Sequence, residues 1–234
     1  MRKILTLAAV TTIMSTMAFA NIGFSPTLPT LTLSGNNYST KMYLFNQGDT
    51  LEKYQLQLVN NNSKAYQPGY IGNNLVIFPS QIAIPPHSSQ AVTIFVKDPK
   101  QVTQDGEYWS TLVFQPVQTG FHPNTDNTMG VTFMTGTTVY VYKGQINYTG
   151  TFTNFAISQG NLTGSIQNTG NANLRLVVSM SNGSTSNSNE VLVYRGSTYS
   201  VSAPIPSNLV GKALNVTVTN ETNNQVMYQT NIAK

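Results

Sequence analysis

The chain has 234 residues, a formal net charge of +4, only 9% charged residues and no cysteine. The missing cysteine excludes disulfides, zinc–thiolate sites and thiol catalysis. The lysines are scattered rather than clustered, so nothing could track a phosphate backbone and no nucleic-acid partner is expected.

The first predicted element is a targeting signal. Arg2 and Lys3 precede an apolar run from Ile4 to Met17, and Ala18-Phe19-Ala20 fits the small-x-small rule for signal-peptidase cleavage. Residues 1–20 are expected to be removed on export, and losing Arg2 and Lys3 lowers the net charge from +4 to +2. No later stretch approaches ~18 uninterrupted apolar residues, so no membrane insertion is expected. Domains tend to run ~100–150 residues, so the mature length suits two small domains or one large one.

After the signal, helical periodicity is hard to find. Short alternating stretches rich in Val, Ile, Thr, Tyr and Phe are broken by Gly, Pro and Asn. "TKMYLFNQGD" alternates through Met42, Leu44 and Asn46 into a Gly-Asp turn. "KYQLQLVNNNS" puts Tyr54, Leu56 and Leu58 on one face. "NLVIFPSQIAIPP" reads as two strands interrupted at Pro79, and "SQAVTIFVKDP" alternates Val92, Ile94 and Val96. "EYWSTLVFQPV" and "GVTFMTGTTVYVYKGQ" complete a set with turn signals every ~8–12 residues, as in an immunoglobulin-like sandwich. A second set begins near Asn147 with "GTFTNFAIS" and ends with "QVMYQTNIA". The expected architecture is all-β: two immunoglobulin-like β-sandwiches in series, residues 21–146 and 147–234, hinged between Lys143 and Gly150.

Chemistry is sparse. Asp105 and Glu107 stand two apart beside Trp109, the only tryptophan. Asp105-Gly106 is a turn signal, so both acids are expected on a solvated turn rather than flanking a glycosidase cleft. Trp109 is expected to pack beside the core. His87 and His122 lie in turn and loop sequences without carboxylates at metal-ligand spacing. No Gly-x-Ser-x-Gly elbow or phosphate-binding loop is present. A non-enzymatic protein without metal or cofactor is expected.

The segments "FSPTLPTLTLSGNN", "YLFNQGD", "VIFPSQIAIPPHSSQAVTIFV" and "DGEYWSTLVF", in that order, resemble the first domain of PapD-like periplasmic pilus chaperones. "NTGNANLRL" and "VYRGSTYSVSAPIPSNLVGKAL" look like that family's second domain. The resemblance covers nearly the whole mature chain. It implies a boomerang of two sandwiches in the periplasm, whose partners are pilus or fimbrial subunits and an outer-membrane usher. It also implies donor-strand complementation, in which the last strand of the first domain completes a subunit's unfinished sheet. The candidate donor is "TMGVTFMTG", with Met129, Val131 and Phe133 on one face. A period-2 face does not say what buries it, so the same three residues also read as part of this chain's own core. The family captures a subunit's terminal carboxylate with an arginine in its first strand and a lysine late in its last first-domain strand. Here those places hold Pro29, Thr30 and Leu31, and Thr137, Thr138 and Val139. Lys143 is the candidate basic residue of the cleft, and Arg175 and Arg195 lie in the second domain. Self-association by capping of the donor strand is a further expectation. The alternative reading is a non-catalytic immunoglobulin-like structural or adhesive protein.

Overall fold

The computed structural model describes residues 22–59, 68–117 and 134–233, apart from the side chain of Asn73. In chain order the first strands are β1 Ile22–Ser25, β2 Thr30–Leu33, β3 Ser39–Asn46, β4 Glu52–Val59, β5 Leu75–Phe78, β6 Gln81–Ile84, β7 Ser89–Val96, β8 Gly106–Pro116 and β9 Thr135–Lys143. They form two facing sheets, ordered β1-β3-β7-β5 and β2-β9-β8-β4-β6. After residues 144–149 come β10 Gly150–Ser158, β11 Asn161–Asn168, β12 Leu174–Ser181, β13 Ser186–Val193, β14 Thr198–Pro204, β15 Leu214–Asn220 and β16 Gln225–Ile232. These form a second pair of sheets, β10-β11-β14 and β13-β12-β15-β16. Among the described strands the pairings are antiparallel except that of β2 with β9.

Period-2 patterning places the cores. Met42 and Leu44 of β3, Val92 and Ile94 of β7, and Leu112 and Phe114 of β8 are all fully buried in the first sandwich. Leu174, Leu176 and Val178 of β12 do the same in the second. Each such side chain contributes roughly 1.5–3 kcal/mol by leaving water. Prolines decide where strands change sheet. Pro79 divides β5, which pairs with β7, from β6, which pairs with β4 in the opposite sheet. Pro26 and Pro29 flank the crossing from β1, which pairs with β3, to β2, which pairs with β9.

One corner is built twice. In the first sandwich, Asn46 at the end of β3 donates its side-chain amide to the carbonyls of Thr50 and Ile84 at 2.7 and 2.9 Å, while its Oδ1 accepts from the Gly48 amide. In the second, Asn168 at the end of β11 donates to Ala172 and Val193 at 2.8 and 2.9 Å, and its Oδ1 accepts from Gly170. The backbone amides of Asn46 and Asn168 also match, donating to Ser88 and Ser197. Both asparagines are buried, and these bonds tie the loop that follows each asparagine to the end of a neighbouring strand, β6 or β13. The sequence signals were "NQGD" and "NTGN".

Candidate functional site: the β9 margin and the joint between the sandwiches

Two features of the first sandwich could engage something beyond it. The first is the outer margin of β9. β2 runs parallel to β9 only from Thr30↔Tyr140 to Leu33↔Lys143. The Tyr140 amide donates to the Pro29 carbonyl at 2.9 Å. In a parallel ladder the next bond toward the N-terminus would run from the amide of residue 29 to the Thr138 carbonyl. Residue 29 is proline and has no N–H, so the ladder stops there. Farther back, the Thr137 hydroxyl donates to the Thr27 carbonyl, a side-chain contact in place of a backbone rung. Among the described residues, no strand pairs with the outer margin of β9 from Thr135 to Val139. Met134, just before it, is two-thirds exposed.

Met129, Val131 and Phe133 fall outside the described residues, as do His122 and the signal segment. The alternation of β9 is nevertheless clear. Thr137, Val139 and Val141 are buried, whereas Thr138 and Tyr140 on the other face are only partly covered.

The second feature is the joint. Glu107 pairs with Tyr142 across β8 and β9, on the face that meets the second sandwich. Its carboxylate accepts from the Asn173 amide at 2.8 Å and from both terminal nitrogens of Arg175 at 3.1 Å. Its backbone amide donates to the Asn171 carbonyl at 2.9 Å. Asn173 in turn accepts from the Arg195 amide. Burial opposes the charge of Arg175, but the hydrogen bonds and charge of Glu107 outweigh it and hold the guanidinium pKa above its ordinary value. The guanidinium also lies 4.6 Å from the Tyr140 ring centroid, a cation–π contact. Burial first, then the Glu107 charge, raises the pKa of Tyr142 and of Tyr148.

Glu107 therefore corrects an expectation. Asp105 is exposed, as a turn acid should be, and accepts from the Gln145 amide. Glu107 is 1% exposed, because the second sandwich covers the start of β8. Gly106, at φ +145°, makes that approach: a Cβ there would stand 2.5 Å from the Asn171 carbonyl. The two acids thus have opposite environments and do not form a carboxylate pair. Trp109 is a packing residue, as expected, but its neighbours are Tyr70 and, from the second sandwich, Tyr194, at ring separations of 5.5 and 6.0 Å.

Lys143 shares the face of Val139 and Val141, opposite Tyr140 and Tyr142. Its ammonium donates to the Val102 carbonyl of its own sandwich. His87 is exposed and meets Asp49 at 2.8 Å, a carboxylate 38 positions away that spacing could not reveal. No cluster of three or more metal-ligating side chains occurs among the described residues.

No protein-family model and no curated protein sequence matches this chain. Solved structures do. A chain of the Salmonella enterica SafA pilin–SafB chaperone complex aligns with a TM-score of 0.58 and 9% identity, covering 92% of this chain and 97% of that one. A chain from a chaperone–tip adhesin complex of CFA/I fimbriae aligns with a TM-score of 0.57 and 11% identity, over 91% and 99% of the two chains. A chain from the CsuC–CsuE chaperone–tip subunit complex of Acinetobacter baumannii Csu pili gives 0.55 and 13%, over 92% and 99%. This chain has the two-domain β-sandwich fold of the pilus chaperones.

Proposed function

We propose that this protein is a periplasmic, non-catalytic chaperone of pilus or fimbrial subunits, which lends backbone from the β9 margin to a subunit whose sheet lacks a strand. Residues 1–20 serve as its export signal, and 21–146 and 147–234 as its two domains. An outer-membrane usher is its second partner. One observation carries the reading: the ladder between β2 and β9 ends at Pro29, which leaves the N-terminal half of β9 without a strand on its outer side among the described residues. Strand addition needs such a row of free peptide groups for affinity and alternating apolar side chains for fit. Counting back by twos from Val141 and Val139 reaches Phe133, Val131 and Met129.

The basic residues bear on how a subunit would be held in register. Lys143, Arg175 and Arg195 each have a partner within the chain: the Val102 carbonyl, Glu107 and Gln104. Register set by side chains in the subunit groove fits these contacts better than capture of a terminal carboxylate.

The test is co-expression with candidate strand-lacking subunits, comparing wild type with Val131→Asp and Phe133→Asp. Loss of the co-purifying subunit with unchanged circular dichroism supports donation. A complex that survives both substitutions defeats it, and leaves the structural or adhesive reading.

A further inference from the structure

A strand at the margin of a sheet presents unpaired peptide groups, and most margins here carry a device that interrupts pairing. β1, β2, β5 and β6 are 4 residues long and abut Pro26, Pro29, Pro79 and Pro85. β10 breaks register between Thr153 and Ala156, and the β15–β16 pair breaks between Val218 and Thr219. β14 closes on Pro204. β13 is different. It has 8 residues, no proline, and one unbroken register on β12, from Ser186↔Ser181 to Val193↔Leu174.

The free groups of β13 can be assigned. The Asn182 amide donates to the Thr185 carbonyl, so that pair is hydrogen-bonded. By alternation Asn187, Asn189, Val191 and Val193 bond inward to β12. Ser186, Ser188, Glu190 and Leu192 direct their N–H and C=O groups outward, where no described residue meets them.

We propose that β13 is a self-association margin, to which a second copy of this chain adds its own β13 antiparallel across a two-fold axis, joining the two four-stranded sheets. An antiparallel strand pair on a two-fold is self-complementary, so one patch serves both copies. Outward-bonding residues must face outward-bonding residues. Two registers then overlap most of the strand: Glu190 opposite Glu190 of the second copy, or Asn189 opposite Asn189. The first sets like charges directly against each other and is disfavoured. The second sets Glu190 against Ser188 and Leu192 against Ser186. In that register the two Asn189 form a non-hydrogen-bonded pair, with Cα atoms ~4.5 Å apart. The proposal uses only the second sandwich, so it stands or falls independently of subunit binding.

The mature full chain is examined by sedimentation over a concentration series, and a concentration-dependent dimer is expected. Ser188→Asp, which faces Glu190, should weaken it about tenfold, and Ser188→Lys should tighten it. Ser188→Pro removes only an outward N–H and should abolish it. Because the chain has no cysteine, Asn189→Cys should cross-link on mild oxidation, its Cα separation falling within the disulfide range of ~4.4–6.8 Å. Leu192→Cys should not cross-link. A monomer at every concentration, a dimer indifferent to Ser188→Asp, or Leu192→Cys cross-linking as fast as Asn189→Cys overturns the proposal. The aspartate variant decides even where the proline variant unfolds.

Discussion

Arg175 reaches from the second sandwich to grip the Glu107 carboxylate of the first with two hydrogen bonds of 3.1 Å. Removing one member of a buried ion pair costs ~3–5 kcal/mol, since the other is left buried and uncompensated. The Arg175 side chain is 25% exposed and water can relieve part of that cost. Glu107→Ala is therefore expected to destabilise by about 2–3 kcal/mol, read from the urea midpoint. The double variant with Arg175→Met should lose less than the sum of the singles, because both report on one contact. Strict additivity would show that the pair contributes nothing to the joint.

Gly106 tests how closely the sandwiches must approach. Gly106→Ala imposes a side chain at φ +145° and a Cβ 2.5 Å from the Asn171 carbonyl. Strain of about 2 kcal/mol or more is expected, with a change in the environment of Trp109, three residues along β8. Unchanged tryptophan fluorescence and stability would contradict the close contact.

Alkaline pH should weaken the fold. Burial first, and the Glu52 charge second, push the Tyr54 hydroxyl from an ordinary pKa of 10.0 up to about 12. Tyr142 and Tyr148 are also raised, chiefly by burial. A raised folded-state pKa means that the unfolded chain loses its protons first, so the stabilisation is complete below pH 10 and falls as pH rises toward about 12. Phenolate absorbance should show late-titrating tyrosines, and Tyr54→Phe should flatten the decline in stability over that window. A flat profile in the wild-type protein would refute the assignment.

Pro29→Ala tests the β9 margin from its other side. Alanine supplies the N–H that the Thr138 carbonyl lacks, so β2 can continue one rung farther along β9. The expected result is slower amide exchange at the start of β2 and weaker capture of a strand-lacking subunit. Stronger capture would argue that the proline contributes something other than a free margin.

The Asn corners should be independent of each other. Asn46→Ala and Asn168→Ala each remove the buried side-chain bonds that join a loop carbonyl to a strand-end carbonyl, at a cost of about 2 kcal/mol apiece. Being in separate sandwiches they should add within a few tenths of a kcal/mol. Denaturant curves of the singles and the double variant decide it.

Much of this molecule was legible before any coordinates. Alternation in "TKMYLFN" and "SQAVTIFV" located β3 and β7, and Pro79 separated β5 from β6, because period-2 burial and the missing proline N–H act locally. The absence of a basic residue at Thr30 and Thr137, and of nucleophile or phosphate-binding motifs, was equally plain. Environment was another matter. Asp105 and Glu107 carry the same charge two residues apart, yet one is solvated and the other sealed under Asn173 and Arg175, 66 and 68 positions away. Likewise "SNGSTSNSN" reads as a polar loop, yet its last four residues are the first half of β13. Only the pairing of its neighbours leaves it at a margin with its even-numbered peptide groups free. Hydrophobic period and backbone chemistry are properties of a few consecutive residues. Burial of a charge and exposure of a margin depend on which distant segment arrives, and that is decided when the sheets assemble.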